Sequence, residues 1–321
     1  MSAALDWAPD VLGEGFEAAT IELADDAEGP VVATLVRGAG GPATAGAVLY
    51  VHGFNDYFFQ AHVARRFAAA GWAFYALDLR KHGRSLRAHQ TPNFCTDLGD
   101  YDAELDVAAA AIAADGHGRL LLAAHSTGGL TVPLWAARRP DLPVAGLVLN
   151  SPFLALKQPP LLQAALLPVV GAVARMSPTR PLPAGVSSYT ESISRHHRGE
   201  WEFDLAWKPV GSPVRAGWLA AVARGHARVR AGLGLAAPAL VLTSARGSDH
   251  RGWHDDLTRT DAVLDPDQIA REAPSISRHT TVVRLDGAVH DVWLSGAEVR
   301  ARAFEVTDRW LAAWVTPAPP P

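Results

Sequence analysis

The residues of this chain best placed to do chemistry lie in 120–130, which reads LLLAAHSTGGL. An apolar run stops abruptly at His125-Ser126-Thr127-Gly128-Gly129 and a helical pattern follows at once. That order predicts a strand, a sharp turn with Ser126 at its apex, and a helix. So tight a turn tolerates only small neighbours, and Ala124 and Gly128 supply them. A serine held this way is lifted clear of the backbone, close to the first amides of a helix, which can hold a developing oxyanion. A serine hydroxyl is a poor nucleophile until an imidazole accepts its proton, and a carboxylate must orient that imidazole. The partners to look for are therefore a histidine and an acid elsewhere in the chain.

The elements that must position these groups can be read from the hydrophobic pattern. Apolar runs at 47–51, 72–77, 119–124, 144–149, 239–242 and 280–285 predict strands. Helical patterns at 59–70, 101–114, 130–139 and 297–315 alternate with them, with Gly71 placed as a C-terminal cap. This alternation predicts an α/β fold with a mostly parallel sheet and helices on both faces. Residues 16–36 read instead as an antiparallel hairpin turning at 25–29. Between 151 and 237 the alternation breaks, and the segment is rich in proline, tryptophan and arginine, with helix candidates at 161–176 and 218–233. The expected organisation is a core from 1–150 and 238–316, a helical cap inserted at 151–237, and a disordered tail at 317–321.

Ligands of open parallel sheets sit beyond the carboxyl ends of the strands. The polar residues at those ends are His52 to Asp56, Asp78 to Ser85, Ser126, Asn150-Ser151, a long loop reaching 261–266, and finally 286–291 with His290. Serine, acid and histidine thus fall in that order on successive strand ends, an order known for one serine-hydrolase architecture. His290 is the expected base. The acid could be Asp261 or Asp249, with Asp255, Asp256 and Asp265 close by. Tight amides near Ser126 make the N–H groups of Phe54 and Thr127 the expected oxyanion donors.

Composition narrows the classes further. The 321 residues carry a formal charge of −4 and no long basic stripe, so nucleic acid is not an expected partner. The single cysteine, Cys95, excludes an internal disulfide framework. His250, His254, Asp255 and Asp256 resemble a metal cluster in type, but their spacing fits no zinc pattern, and a solvated loop is expected. No metal and no cofactor is therefore expected. The first residues carry acids and no apolar block, so they do not read as a signal peptide, and no apolar run is long enough to span a bilayer. A cytoplasmic protein is the expectation.

The motifs HGFNDY at 52–57, DLRKHGRS at 78–85, AHSTGG at 124–129, DAVLDP at 261–266 and GAVH at 287–290 together resemble the α/β-hydrolase superfamily, in particular its monoacylglycerol lipase and lysophospholipase-like branch. Two departures stand out: Ala124 replaces the usual first glycine of the nucleophile turn, and an extra segment, 245–260, precedes the acid loop. The resemblance implies Ser126 as nucleophile, His290 as base, Asp261 as acid through its DAVLDP loop, and Phe54 and Thr127 as oxyanion donors. It implies hydrolysis of a small apolar carboxylic ester, such as a monoacylglycerol or lysophospholipid, through an acyl-serine. Amide, peptide, thioester and carbon–carbon bond cleavage or acyl transfer remain open on the same triad, as does a non-catalytic binding role. Leu161, Leu162, Leu166, Leu167 and Val170 could line an acyl pocket or meet a membrane surface, as caps of the resembled lipases do. Trp201, Phe203, Trp207 and Trp218 could anchor the cap or face substrate. His52 and the 78–85 motif are expected to brace loops, and His125 to bond locally.

Overall fold

The structure is a computed structural model that describes residues 5–38, 43–183, 188–249 and 252–316. Its first elements are a two-residue strand β1 (Ala8–Pro9) and the hairpin β2 (Phe16–Asp26) and β3 (Gly29–Gly38), paired antiparallel from Phe16↔Gly38 to Asp26↔Gly29. The hairpin turns at Gly29, whose φ of 108° is open to glycine. Alternating strands and helices follow: β4 (Gly46–Val51), α1 (Ala61–Ala69), β5 (Trp72–Asp78), α2 (Asp102–Ala114), β6 (Leu120–His125), α3 (Gly128–Ala137) and β7 (Val144–Asn150). Among the described residues three α-helices separate β7 from the next strand: α4 (Pro160–Met176), α5 (Tyr189–Ile193) and α6 (Ala216–Arg230). The chain then completes β8 (Ala239–Ser244), α7 (Pro266–Glu272), β9 (Thr280–Leu285) and α8 (Ala297–Trp314).

The strands form one sheet in the order β1-β2-β3-β5-β4-β6-β7-β8-β9. From β5 onward every pairing is parallel, while the first three strands join antiparallel. The sheet is apolar on both faces because helices cover both. Leu49 and Leu122 pack with Leu105 and Ile112 of α2 and Val132 of α3, whereas their neighbours Val48, Tyr50 and Leu121 face Phe67 of α1 and Trp310 of α8. Continuous apolar strands with no polar alternation are the sequence trace of this two-sided burial.

The expected hairpin and all six expected core strands are present. Helix α3 begins two residues earlier than its periodicity indicates, directly behind Ser126 and Thr127. Three short elements were not anticipated. β1 and α5 have two and five residues, too few for a period to show. α7 lies inside the acid loop: Asp265 caps it through the Asp267 amide at 2.9 Å, with Pro266 in its first turn. The expected tail at 317–321 lies outside the described residues. No helix of the described residues is long and apolar enough to cross a membrane.

Candidate active site

Ser126 follows β6 and stands at φ 51°, a left-handed conformation that a serine rarely adopts. Such strain persists only where the surroundings over-determine it. The Ser126 amide donates to Asn150 O at 3.0 Å, and its carbonyl accepts from the Phe153 amide at 2.8 Å. The glycines around it leave space that a side chain would fill. A Cβ on Gly128 would overlap the carbonyl oxygens of His52 and Val51, and one on Gly53 would lie 2.9 Å from Ser126 Cβ. Removing those side chains lets α3, the end of β4 and the serine meet at one point.

Three side chains remote in sequence converge there. His290 Nε2 lies 3.0 Å from Ser126 Oγ, and His290 Nδ1 lies 2.9 Å from Asp261 Oδ2. An ionised carboxylate only accepts, so Nδ1 carries the proton and Nε2 is left to accept from the serine hydroxyl. Asp261 is fully buried. Burial pushes its carboxyl up, but the His290 charge and hydrogen bond, with the Val263 and Leu264 amides, hold it below the ordinary carboxylate value. Those two amides donate to Oδ1 at 2.8 Å each, leaving Oδ2 for the imidazole. Asp249 is exposed at the wall of the adjoining cavity.

The Phe54 amide faces the same point but donates to Thr127 Oγ1 at 3.2 Å. Thr127 is the N-cap residue of α3. An oxyanion drawing on both backbone amides would therefore take over the Phe54 N–H from the threonine hydroxyl. His125 packs its ring 4.7 Å from that of His290 and donates from Nδ1 to Asn150 O at 3.1 Å. Burial pushes His125 down to about 4, despite the Asp291 carboxylate.

The supporting motifs bond as their residue types suggest. His52 Nε2 accepts from the Leu79 amide at 3.0 Å, and its Nδ1 donates to Gly53 O at 2.8 Å. Asp78 accepts from the Phe58 amide at 2.8 Å and from Arg84 Nη1 at 2.8 Å, while Arg84 also grips Asp10. Two further buried polar groups meet near His290: Asp291, next to it in the last strand-end run, and Tyr189 of α5. Asp291 accepts from Asn150 Nδ2 at 2.6 Å, Gln60 Nε2 at 3.2 Å and the Trp293 amide at 3.0 Å. It ties the end of β7 and the start of α1 to the loop after β9 that carries His290. Tyr189, whose hydroxyl accepts from the Asp291 amide at 3.0 Å, turns its ring edge to His290 at 5.5 Å. Nothing in the spacing of the sequence pairs these residues.

Ser126 and His290 open onto a cavity of about 1310 Å³. Its walls include Leu166, Leu167, Val169 and Val170 of α4 and Trp218 and Leu219 of α6. Leu161 points away from it, 89 % exposed, and Leu162 is also exposed. The aromatic residues divide: Trp201 donates to Leu294 O at 2.7 Å, Phe203 packs on Phe59 and Trp207 on Tyr57, while Trp218 reaches Phe54 at 4.3 Å and faces the cavity. Among the described residues no three His, Cys, Asp or Glu side chains are grouped to hold a metal ion; His250 lies outside them.

Comparison with known proteins places the chain by family and by fold. A family model described as serine aminopeptidase, S33, matches residues 42–294. A monoacylglycerol lipase of Mycolicibacterium smegmatis is 37 % identical over 112 residues, a match spanning 33 % of this chain and only 38 % of that relative. Among solved structures, a Paleococcus ferrophilus monoacylglycerol lipase superposes with TM-score 0.61 at 20 % identity, covering 85 % of this chain and 96 % of that one. A soluble variant of the Saccharomyces cerevisiae monoglyceride lipase, bound to a substrate analogue, gives 0.64 at 16 % identity, covering 98 % and 96 %. Identities this low speak for the fold alone, which is the α/β-hydrolase fold.

Proposed function

The chain belongs to the serine hydrolase family described as serine aminopeptidase, S33, and from that premise we propose that it hydrolyses small apolar carboxylic esters through an acyl-serine. Ser126 Oγ attacks the ester carbonyl carbon while its proton passes to His290 Nε2. Asp261 holds the imidazole and stabilises its charged form. The Phe54 and Thr127 amides take the oxyanion. His290 then returns the proton to the departing alcohol, and water repeats the sequence to free the acid. The observation that carries this reading is the unbroken line Ser126 Oγ, His290 Nε2, His290 Nδ1, Asp261 Oδ2, at 3.0 and 2.9 Å. No cofactor has a part in it.

In this reading residues 151–237 are a cap on the core formed by 1–150 and 238–316. The cap builds an acyl cavity larger than the roughly 300–1,000 Å³ of ordinary ligand sites. A monoacylglycerol or lysophospholipid fits that class, and the exposed apolar residues of α4 could meet a lipid surface. A fluorophosphonate probe should label the protein, and Ser126→Ala should abolish both labelling and hydrolysis of p-nitrophenyl esters. Labelling that persists in Ser126→Ala would remove the serine from its role. The family's description favours one second reading, peptide cleavage from a free amino terminus. Aminoacyl p-nitroanilides turned over faster than the esters would select it.

A further inference from the structure

The loop that carries the Phe54 amide is held from outside by the segment between β7 and β8. Asn55 sits at φ 51°, a conformation that needs support from its neighbours. Lys208 Nζ, buried, lies 2.7 Å from Asp56 Oδ1 and makes a longer contact of 3.5 Å to Asn55 O. Asn55 Nδ2 donates to Pro209 O at 2.9 Å. The Asp204 amide donates to the Tyr57 hydroxyl at 2.8 Å, and the Trp207 ring meets Tyr57 edge-on. Three consecutive residues, Asn55 to Tyr57, are thus each fastened to residues 204–209.

On its inner side the loop has different anchors. The carbonyl of the Gly53–Phe54 peptide accepts from His52 Nδ1, and the N–H of the same peptide meets Thr127 Oγ1. That peptide is pinned to the core at one end, and the residues just beyond it are pinned to the inserted segment. Asp56 is almost fully buried, and a buried carboxylate with no cation beside it is strongly disfavoured. Burial pushes its carboxyl up, and the Lys208 charge, with smaller help from His125 and His52, holds it low instead. The cation that keeps Asp56 in place comes from outside the core.

We propose that Lys208 is a positioning residue: acting through Asp56 and Asn55, it sets the aim of the Phe54 amide and so couples the seat of the inserted segment to oxyanion stabilisation. This rests on the acyl-serine reading above. Lys208 stands at the cavity wall but touches no reacting atom in that scheme; the part of its effect that passes through the Phe54 amide belongs to the transition state, and it is that part which a split between kcat and KM isolates.

The test compares Lys208→Met, the double variant Lys208→Met/Asp56→Asn, which leaves no orphaned charge, and Trp201→Phe. The last removes a bond from the same segment to Leu294 O that involves none of Asn55, Asp56 and Lys208. Each is assayed for kcat and KM on a p-nitrophenyl ester and for affinity toward a trifluoromethyl ketone, which forms an oxyanion on an active serine. The Lys208 variants should lose about 10- to 100-fold in kcat with KM changed less than about threefold, and ketone affinity should fall by the same factor as kcat. Trp201→Phe should leave ketone affinity within about twofold. Should Lys208→Met not fold, the double variant carries the measurement. Unchanged ketone affinity in the double variant, or an equal loss in Trp201→Phe, overturns the coupling. Ester hydrolysis surviving in Ser126→Ala overturns the underlying reading instead.

Discussion

Asp261 has no exposed surface, and an ionised carboxylate in that position needs hydrogen-bond donors at both oxygens. Two backbone amides and an imidazole supply them. Asn at this position would offer its amide as a donor where the imidazole also donates, favouring the wrong tautomer. Asp261→Asn should therefore lower kcat by roughly 10³- to 10⁴-fold, whereas Asp249→Asn, at an exposed carboxylate, should stay within about twofold. Steady-state kinetics on a p-nitrophenyl ester measures both. In the sequence only the resemblance of the DAVLDP loop set Asp261 ahead of Asp249, because distance along the chain says nothing about which carboxylate reaches the ring. The loop between β8 and α7 is long enough to present either.

Elements matter here through where they end. α3 can start immediately behind Ser126 only because Gly128 lacks a side chain against the carbonyls of Val51 and His52. Backbone oxygens cannot swing aside as a side chain can. Gly128→Ala should therefore push α3 away from β4, costing about 1–3 kcal/mol of stability and slowing fluorophosphonate labelling. A urea melt and a labelling time course report the two effects. The glycine itself was legible in the AHSTGG motif. That it separates a helix from two particular carbonyls was not, because β4 and β6 are brought side by side only by the sheet.

Across the whole molecule, burial of uncharged histidines ties stability to pH. Burial pushes His82 down to about 3. It pushes His125 and His226 down to about 4, the latter in spite of its hydrogen bond to Phe153 O. In the unfolded chain each would titrate near its ordinary value of 6.5. Between about 6.5 and 4 the unfolded state therefore binds more protons, and stability falls as pH is lowered through that window. Each such histidine contributes at most about 3 kcal/mol of the loss. Urea midpoints should fall steadily from pH 7 to pH 4.5, and His226→Gln, which keeps a donor to Phe153 O, should flatten the slope. An unchanged slope in that variant would show that His226 binds its proton equally in the folded and unfolded states.

The order of apolar runs, the glycines around Ser126 and the sequence of serine, acid and histidine on strand ends were all written in one dimension. They are local, or depend only on the order of elements, and a parallel sheet turns order into position. The α/β architecture, the serine turn and the motif residues could be read for that reason. What only the tertiary structure decided are the contacts between segments with no shared period: the 2.9 Å approach of Asp261, which the sequence favoured only through its DAVLDP resemblance, to His290, Asp291 between the end of β7 and the start of α1, and Lys208 against Asp56. Such pairings depend on how far loops travel and which carboxylate can be desolvated beside a partner. Those quantities exist only once the core has closed.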